Sequence, residues 1–330
     1  MDMVKDAEPE PRGGEMLKNS VMVTTIDTEG FHLDVPTDNG ADINSQATID
    51  LIRTLSRRFP DHVADKIMRF GEDSGNGVLL VRNLDVGDIP ATPTKIGHAT
   101  KPDLTSELTL LAAIRLLGHP IGYLPEHGGD LVQNIFPTKD SATRQVSTSS
   151  AAELMFHTEA AFHPHMPRWI GLLCIRGDNN AHTTFASIRD IVRTLENETL
   201  EQLRKPEYRC GVDESYGTGR TIGTARPVLW GPNGGEYLWF DADLCIADTT
   251  EGSRALDALR EATRACQGAV TLRKGDLLII DNYVAVHGRS PFLARFDGTD
   301  RWLQRGFVTA DLAPSAAERD GRIVTTTFSA

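Results

Sequence analysis

The chain has 330 residues, 40% of them hydrophobic and 24% charged, an ordinary globular composition with length enough to bury a large core. Acidic residues number 46 against 34 basic ones, and the net charge of −12 argues against nucleic acid or anionic lipid as a partner. No apolar run reaches the roughly 20 residues of a membrane helix, and the first 18 residues lack the apolar stretch of a secretory signal. The expectation is a cytoplasmic chain away from membranes.

Residues 1–18 are polar, with Pro9, Pro11 and a Gly-Gly pair, and read as a disordered tail before a single domain over 19–330. Ile49, Ile52, Leu55 and Phe59 recur at helical spacing and predict a helix over 45–59. A second helix is expected over 63–70 and a buried strand over 77–82. Leu108, Leu111, Ile114 and Leu117 predict a helix over 104–117, one face apolar, with Gly118 as its cap. From residue 121 short apolar runs recur, broken by Gly, Asp, Asn and Pro. They predict strands over 131–136, 154–157, 169–175, 183–188, 225–230, 237–240, 270–272, 277–280, 284–289 and 302–309. Helical insertions are expected over 188–205 and 253–267. The fold class that results is α+β with a mainly β core: a helical N-terminal layer on an antiparallel sandwich or jelly roll. Cys174, Cys210, Cys245 and Cys266 form no C-x-x-C pair and are expected to be free thiols. Oligomeric state is not legible.

Three segments carry chemistry. His157-Thr158-Glu159 follows a run of strand character, and on a strand residues i and i+2 share a face. His287 stands in a later predicted strand. Two histidines and one carboxylate on one face of a metal suit Fe(II), with open positions for an organic chelate and O2. Arg301 and Arg305 share a strand face with Leu303. An arginine directed into a sandwich needs an anion, and a carboxylate fits its planar fork. The residues alone leave rivals open. His163 and His165 lie close enough to His157 to suggest a zinc hydrolase, and a non-catalytic ligand-binding jelly roll is the other possibility.

The set of motifs is wider than this triad. His157-Thr158-Glu159, Ile280-Asp281-Asn282, residues 287–292, Arg295 to Gly298 and residues 300–305 together resemble the clavaminate-synthase-like Fe(II)/2-oxoglutarate oxygenases. More narrowly, they resemble the branch acting on free amino acids, with residues 172–178 and 212–216 most similar to the free L-lysine hydroxylases. The resemblance covers roughly residues 120–310. It implies a double-stranded β-helix (jelly roll, cupin-like) that uses Fe(II), 2-oxoglutarate and O2, and releases succinate and CO2. His157, Glu159 and His287 would be the iron ligands. Arg301 matches the arginine that holds the distal carboxylate of 2-oxoglutarate, and Thr183 a threonine beside it. Arg305 matches an arginine near the substrate α-carboxylate, Glu126 a residue that receives the α-amine, and Val146 and Ser147 a loop at the same end. Asp241 and Asp243, with Asp213 and Glu214 on a second loop, would meet a cationic side chain. The resemblance thus implies hydroxylation at C3 or C4 of a free basic L-amino acid, lysine ahead of arginine, with desaturation as a variant outcome.

Overall fold

The computed structural model describes residues 23–36, 42–95, 97, 101–216 and 223–328. The tail read over 1–18 lies outside the described residues. In chain order come β1 (Thr24–Asp27), α1 (Gln46–Ser56), α2 (Asp61–Glu72), β2 (Val78–Arg82), α3 (Thr105–Ile114), β3 (His119–Tyr123), β4 (Gln133–Ile135) and β5 (Leu154–His157). Next are β6 (Trp169–Arg176), β7 (Thr183–Ser187), α4 (Ile188–Ile191), α5 (Asn197–Leu203), β8 (Tyr208–Cys210), β9 (Leu229–Trp230), β10 (Tyr237–Leu238) and β11 (Cys245–Ala247). The last are α6 (Thr250–Ala265), β12 (Gly268–Val270), β13 (Leu277–Asp281), β14 (Ala285–Arg289), β15 (Trp302–Thr309), β16 (Arg319–Asp320) and β17 (Ile323–Val324).

Two sheets make the jelly-roll core. The larger runs β1-β2-β13-β6-β15-β3-β17-β16, with β4 also on β15, and the smaller runs β12-β7-β14-β5. Pairing is antiparallel except at β1/β2 and β3/β17. Side-chain alternation decides the layers. Leu80, Leu172, Cys174, Leu278, Ile280 and Leu303 turn inward toward Phe185 of the small sheet, and Phe156 and Val286 on that sheet's other face belong to the same contiguous core. Leu79, Val81, Leu173, Leu277, Ile279 and Trp302 turn outward and bury against α1, α2 and α3. The helical layer therefore backs the large sheet, and the space between the sheets is left for a site.

Helix α3 departs from expectation. All ten of its residues are buried, so it is not one-faced, and it ends at Ile114, short of Leu117. It lies against Gly171 and Gly306, which face each other across β6 and β15. A Cβ at Gly171 would come within 2.6 Å of Ile114 Cγ2, and one at Gly306 within 2.7 Å of Ile114 Cδ1. Gly118 does not adopt the left-handed helix-ending conformation; a Cβ there would meet the Thr309 carbonyl at 2.5 Å. The 188–205 insertion is two short helices. Strand β3, which contains Pro120 and Gly122, was not among the expected strands; it is held from both sides by β15 and β17. The cysteine expectation is corrected too. Cys210 and Cys245 face each other across β8 and β11 and are disulfide-bonded, leaving Cys174 and Cys266 free. No helix among the described residues is long and apolar enough to cross a membrane.

Candidate active site

Strand pairing brings the two histidines together. His287 on β14 is the direct partner of His157, the last residue of β5. Their ring centroids are 4.4 Å apart. Glu159 lies past the end of β5, so its direction is not set by the strand alternation that suggested it. Its Oε2 is 3.6 Å from His287 Nε2 and 4.0 Å from His157 Nε2. Among the described residues this is the only group of three His, Cys, Asp or Glu side chains able to hold a metal, with all ligand atoms within 4.8 Å of one another.

The donor set fits a divalent ion such as Fe(II). His157 Nδ1 bonds to the Met155 carbonyl at 2.9 Å, which fixes the ring and leaves Nε2 as ligand. Glu159 Oε2 is buried without a protein partner, an orphan that a cation would satisfy. Burial alone would raise the Glu159 carboxyl, but Arg305 and the two histidines hold it down to about 2. Burial, reinforced by His157, pushes His287 down to about 4. The groups thus stand as an ionised carboxylate and a neutral imidazole near neutral pH, the forms that bind metal.

Two arginines enter from β15 and the residue just before it, Arg305 on the strand and Arg301 one residue ahead of Trp302. Arg301, Leu303 and Arg305 line the same cavity, and Trp302 and Gln304 turn the other way, with Gln304 reaching Glu107 of α3 at 2.7 Å. Arg301 is buried, and its side-chain hydrogen bond is to Thr183 Oγ1 at 3.2 Å. No carboxylate pairs with it among the described residues. A buried guanidinium left so is a seat for an anion. Arg305 is differently placed. Its Nε donates to Gln133 at 2.9 Å, its Nη1 to Glu159 Oε1 at 2.9 Å, and its Nη2 to Glu126 and Gln133. It therefore buttresses one metal-facing carboxylate while lining the cavity.

The space these residues line measures about 1030 Å³, the open solvent at its mouth included. Glu126, Val146 and Ser147 lie along it, as do Thr183, Asp213, Asp241 and Asp243. Burial raises the Glu126 carboxyl against the pull of Arg305. Its Oε2 and the neighbouring Tyr216 hydroxyl are both buried and find no further protein partner among the described residues. Asp241 bridges by its backbone to His157, and its Oδ1 accepts from the Asp243 and Leu244 amides, each at 2.8 Å. Burial raises its pKa, while His157 opposes. Glu214 is the one expected residue that the structure does not bring to this cavity. Its carboxylate is mostly exposed and ion-paired with Arg144 on the facing loop. His163 and His165 also lie elsewhere. His163 is fully buried against Tyr123 and Phe328, and its Nδ1 accepts from the His165 amide at 2.9 Å.

Sequence reading missed four residues. Gln133 braces Arg305, Tyr216 faces the cavity, and Asn282 bonds to the backbone of Glu159. Arg289, two residues after His287, bonds to Ser149 and Ala152 and ties down the loop bearing Val146 and Ser147. Tyr216, Asn282 and Arg289 had a signal in the sequence, since all three stand within the motifs that carried the resemblance, whereas Gln133 stood only within an expected strand.

Comparison with known proteins agrees with this geometry. Residues 73–307 match the family described as taurine catabolism dioxygenase TauD, TfdA family. An L-lysine 3-hydroxylase of Catenulispora acidiphila is 36% identical over 282 residues, 82% of this chain and 78% of that protein. A structure of asparagine oxygenase with Fe(II), 3-hydroxyasparagine and succinate is 32% identical, with a TM-score of 0.84 over 88% of this chain and 93% of that one. A structure of the non-heme iron oxygenase OrfP with Fe and α-ketoglutaric acid is 31% identical, with a TM-score of 0.79 over 86% and 92% of the two chains.

Proposed function

This chain belongs to the TauD, TfdA family of dioxygenases, and on that premise we propose that it hydroxylates C3 or C4 of a free basic L-amino acid, L-lysine first. It is an Fe(II)- and 2-oxoglutarate-dependent oxygenase, an oxidoreductase. When bound, iron with 2-oxoglutarate and O2 supplies an oxidant strong enough to cleave an unactivated C–H bond, with succinate and CO2 released. The protein's share is holding and aiming.

In this reading His157, Glu159 and His287 hold the iron. Arg301 and Thr183 hold the distal carboxylate of 2-oxoglutarate. Glu126 Oε2 receives the substrate α-amine, with the Tyr216 hydroxyl beside it. Arg305 has five N–H donors, and four hydrogen bonds to protein occupy it, which leaves one Nη1 proton for the α-carboxylate. Val146 and Ser147 close the same end. Residues 19–330 act as one oxygenase domain, placed in the cytoplasm, where Fe(II) and free amino acids are at hand.

The observation that carries the substrate class is at the far end. Asp213, Asp241 and Asp243 face one cavity, and none has an ion-pair partner among the described residues. Asp213 and Asp241 are half-buried and Asp243 stands exposed beside them, and carboxylates gathered on one cavity favour a cation over a neutral amide such as that of asparagine. The likeness to a lysine 3-hydroxylase supports an ammonium and C3. Arginine is the second reading, since a pair of aspartates also suits a guanidinium fork, and OrfP has been seen with (3R,4R)-dihydroxy-L-Arg. The test is competition: lysine, ornithine, arginine and asparagine supplied together at equal concentration. Lysine is expected to be consumed first; preferential consumption of asparagine would refute the acidic-pocket argument.

A further inference from the structure

The geometry points to Asn282 as the positioning residue that aims Glu159 at the metal. The inference rests on reading Glu159 as an iron ligand and is independent of which amino acid is oxidised.

Glu159 needs such a hold. Strand β5 ends at His157, so no ladder hydrogen bonds fix the Glu159 peptide. The next residue, Ala160, has φ of 52°, a left-handed conformation that an alanine adopts only when its surroundings enforce it. The hold on the Glu159 backbone comes from Asn282, 123 residues away on the turn that leaves β13. Its Oδ1 accepts from the Glu159 amide at 2.7 Å. Its Nδ2 donates to the Glu159 carbonyl at 3.1 Å and to the Pro167 carbonyl at 3.0 Å. One primary amide thus grips both polar groups of the Glu159 backbone and uses both its donors.

Asn282 is itself fixed. It is fully buried, and its backbone N–H donates to the Arg168 carbonyl at 2.9 Å. The preceding Asp281 is clamped by Arg168 Nη2 at 2.7 Å. Arg305 then holds the Glu159 side chain by Oε1, which leaves Oε2 toward the histidines. Backbone and side chain are restrained by separate residues, and the direction of Oε2 follows from the two together.

The experiment measures Mn(II) binding to the full-length protein by calorimetry, without 2-oxoglutarate or amino acid, for the parent, N282A, N282D and E159A. Removing a partner of this kind is expected to raise the Mn(II) Kd about 10–100-fold in N282A. N282D keeps the acceptor and loses both donations, so its Kd should fall between. Once Mn(II) is saturating, 2-oxoglutarate affinity should stay within about twofold of the parent, which a general loss of packing would not allow. A folded N282A with parental Mn(II) affinity, beside an E159A that has lost it, would overturn the role of Asn282 alone. An E159A with parental affinity would overturn the metal reading itself. If N282A does not fold, N282D decides by the same criteria. Failure of both to fold at saturating Mn(II) would assign Asn282 to stability and overturn the proposal.

Discussion

Arg301→Ala separates the co-substrate seat from the substrate seat. Arg301 is 7% exposed, and among the described residues its one side-chain hydrogen bond to protein is the 3.2 Å contact with Thr183. Bound 2-oxoglutarate would give it a two-pronged carboxylate partner in a water-poor site. Deleting one member of such a pair costs about 2–5 kcal/mol. At about 1.4 kcal/mol per tenfold, the 2-oxoglutarate Kd should rise roughly 30- to 3000-fold. Thr183→Val removes one neutral hydrogen bond near the same carboxylate, about 1 kcal/mol or roughly fivefold. Arg301→Lys keeps the charge without the fork and should fall between them. The assay is succinate release against 2-oxoglutarate at saturating amino acid, repeated against amino acid at saturating 2-oxoglutarate. The amino-acid KM should move less than about twofold in all three variants. An unchanged 2-oxoglutarate requirement with a raised amino-acid KM would refute the assignment and exchange the roles of Arg301 and Arg305.

Asp241→Asn should raise the KM for a cationic substrate about 30-fold, near 2 kcal/mol, while Glu214→Gln, outside the cavity, should leave it unchanged; equal effects of the two would return both to the surface. His163 gives a pH dependence. Burial depresses it from 6.5 to about 3, so the folded state keeps it neutral while the unfolded chain takes up a proton below pH 6.5. Its contribution is present above pH 6.5 and lost as pH falls toward 3, with an upper limit of about 5 kcal/mol. Urea midpoints for H163F should therefore fall less between pH 7 and 4 than those of the parent; parallel slopes would contradict this. Thiol titration of the unfolded, unreduced chain should count two thiols, Cys174 and Cys266, and four would contradict the Cys210–Cys245 bond.

What the sequence showed and what it hid divide along a physical line. Strands with long apolar runs, such as β6 and β13, were legible because local pattern and tertiary burial agree. Arg305 was legible because period two on β15 turns it into the sandwich, and Arg301, one residue before that strand, enters the same cavity. Strand β3 was hidden, because Pro120 and Gly122 oppose extended pairing and only β15 and β17 enforce it. The full burial of α3 was hidden by the glycine pair that admits it. The His157 and Glu159 spacing was readable, yet the strand argument behind it was incomplete: β5 stops at His157, and distant Asn282 holds the carboxylate's backbone. Glu214 was grouped with Asp213 by adjacency, but Arg144 draws it outward. The Cys210–Cys245 bond depends on a register set between strands 35 residues apart, which spacing alone does not reveal.

The central claim is that this site couples 2-oxoglutarate turnover to oxidation of a free basic amino acid. Its most direct test is mass spectrometry of aerobic reactions with Fe(II), ascorbate and 2-oxoglutarate, run separately on lysine, ornithine, arginine, homoarginine, citrulline and asparagine. The account predicts gain of one oxygen on lysine with one succinate per product. Background succinate in every reaction would contradict it.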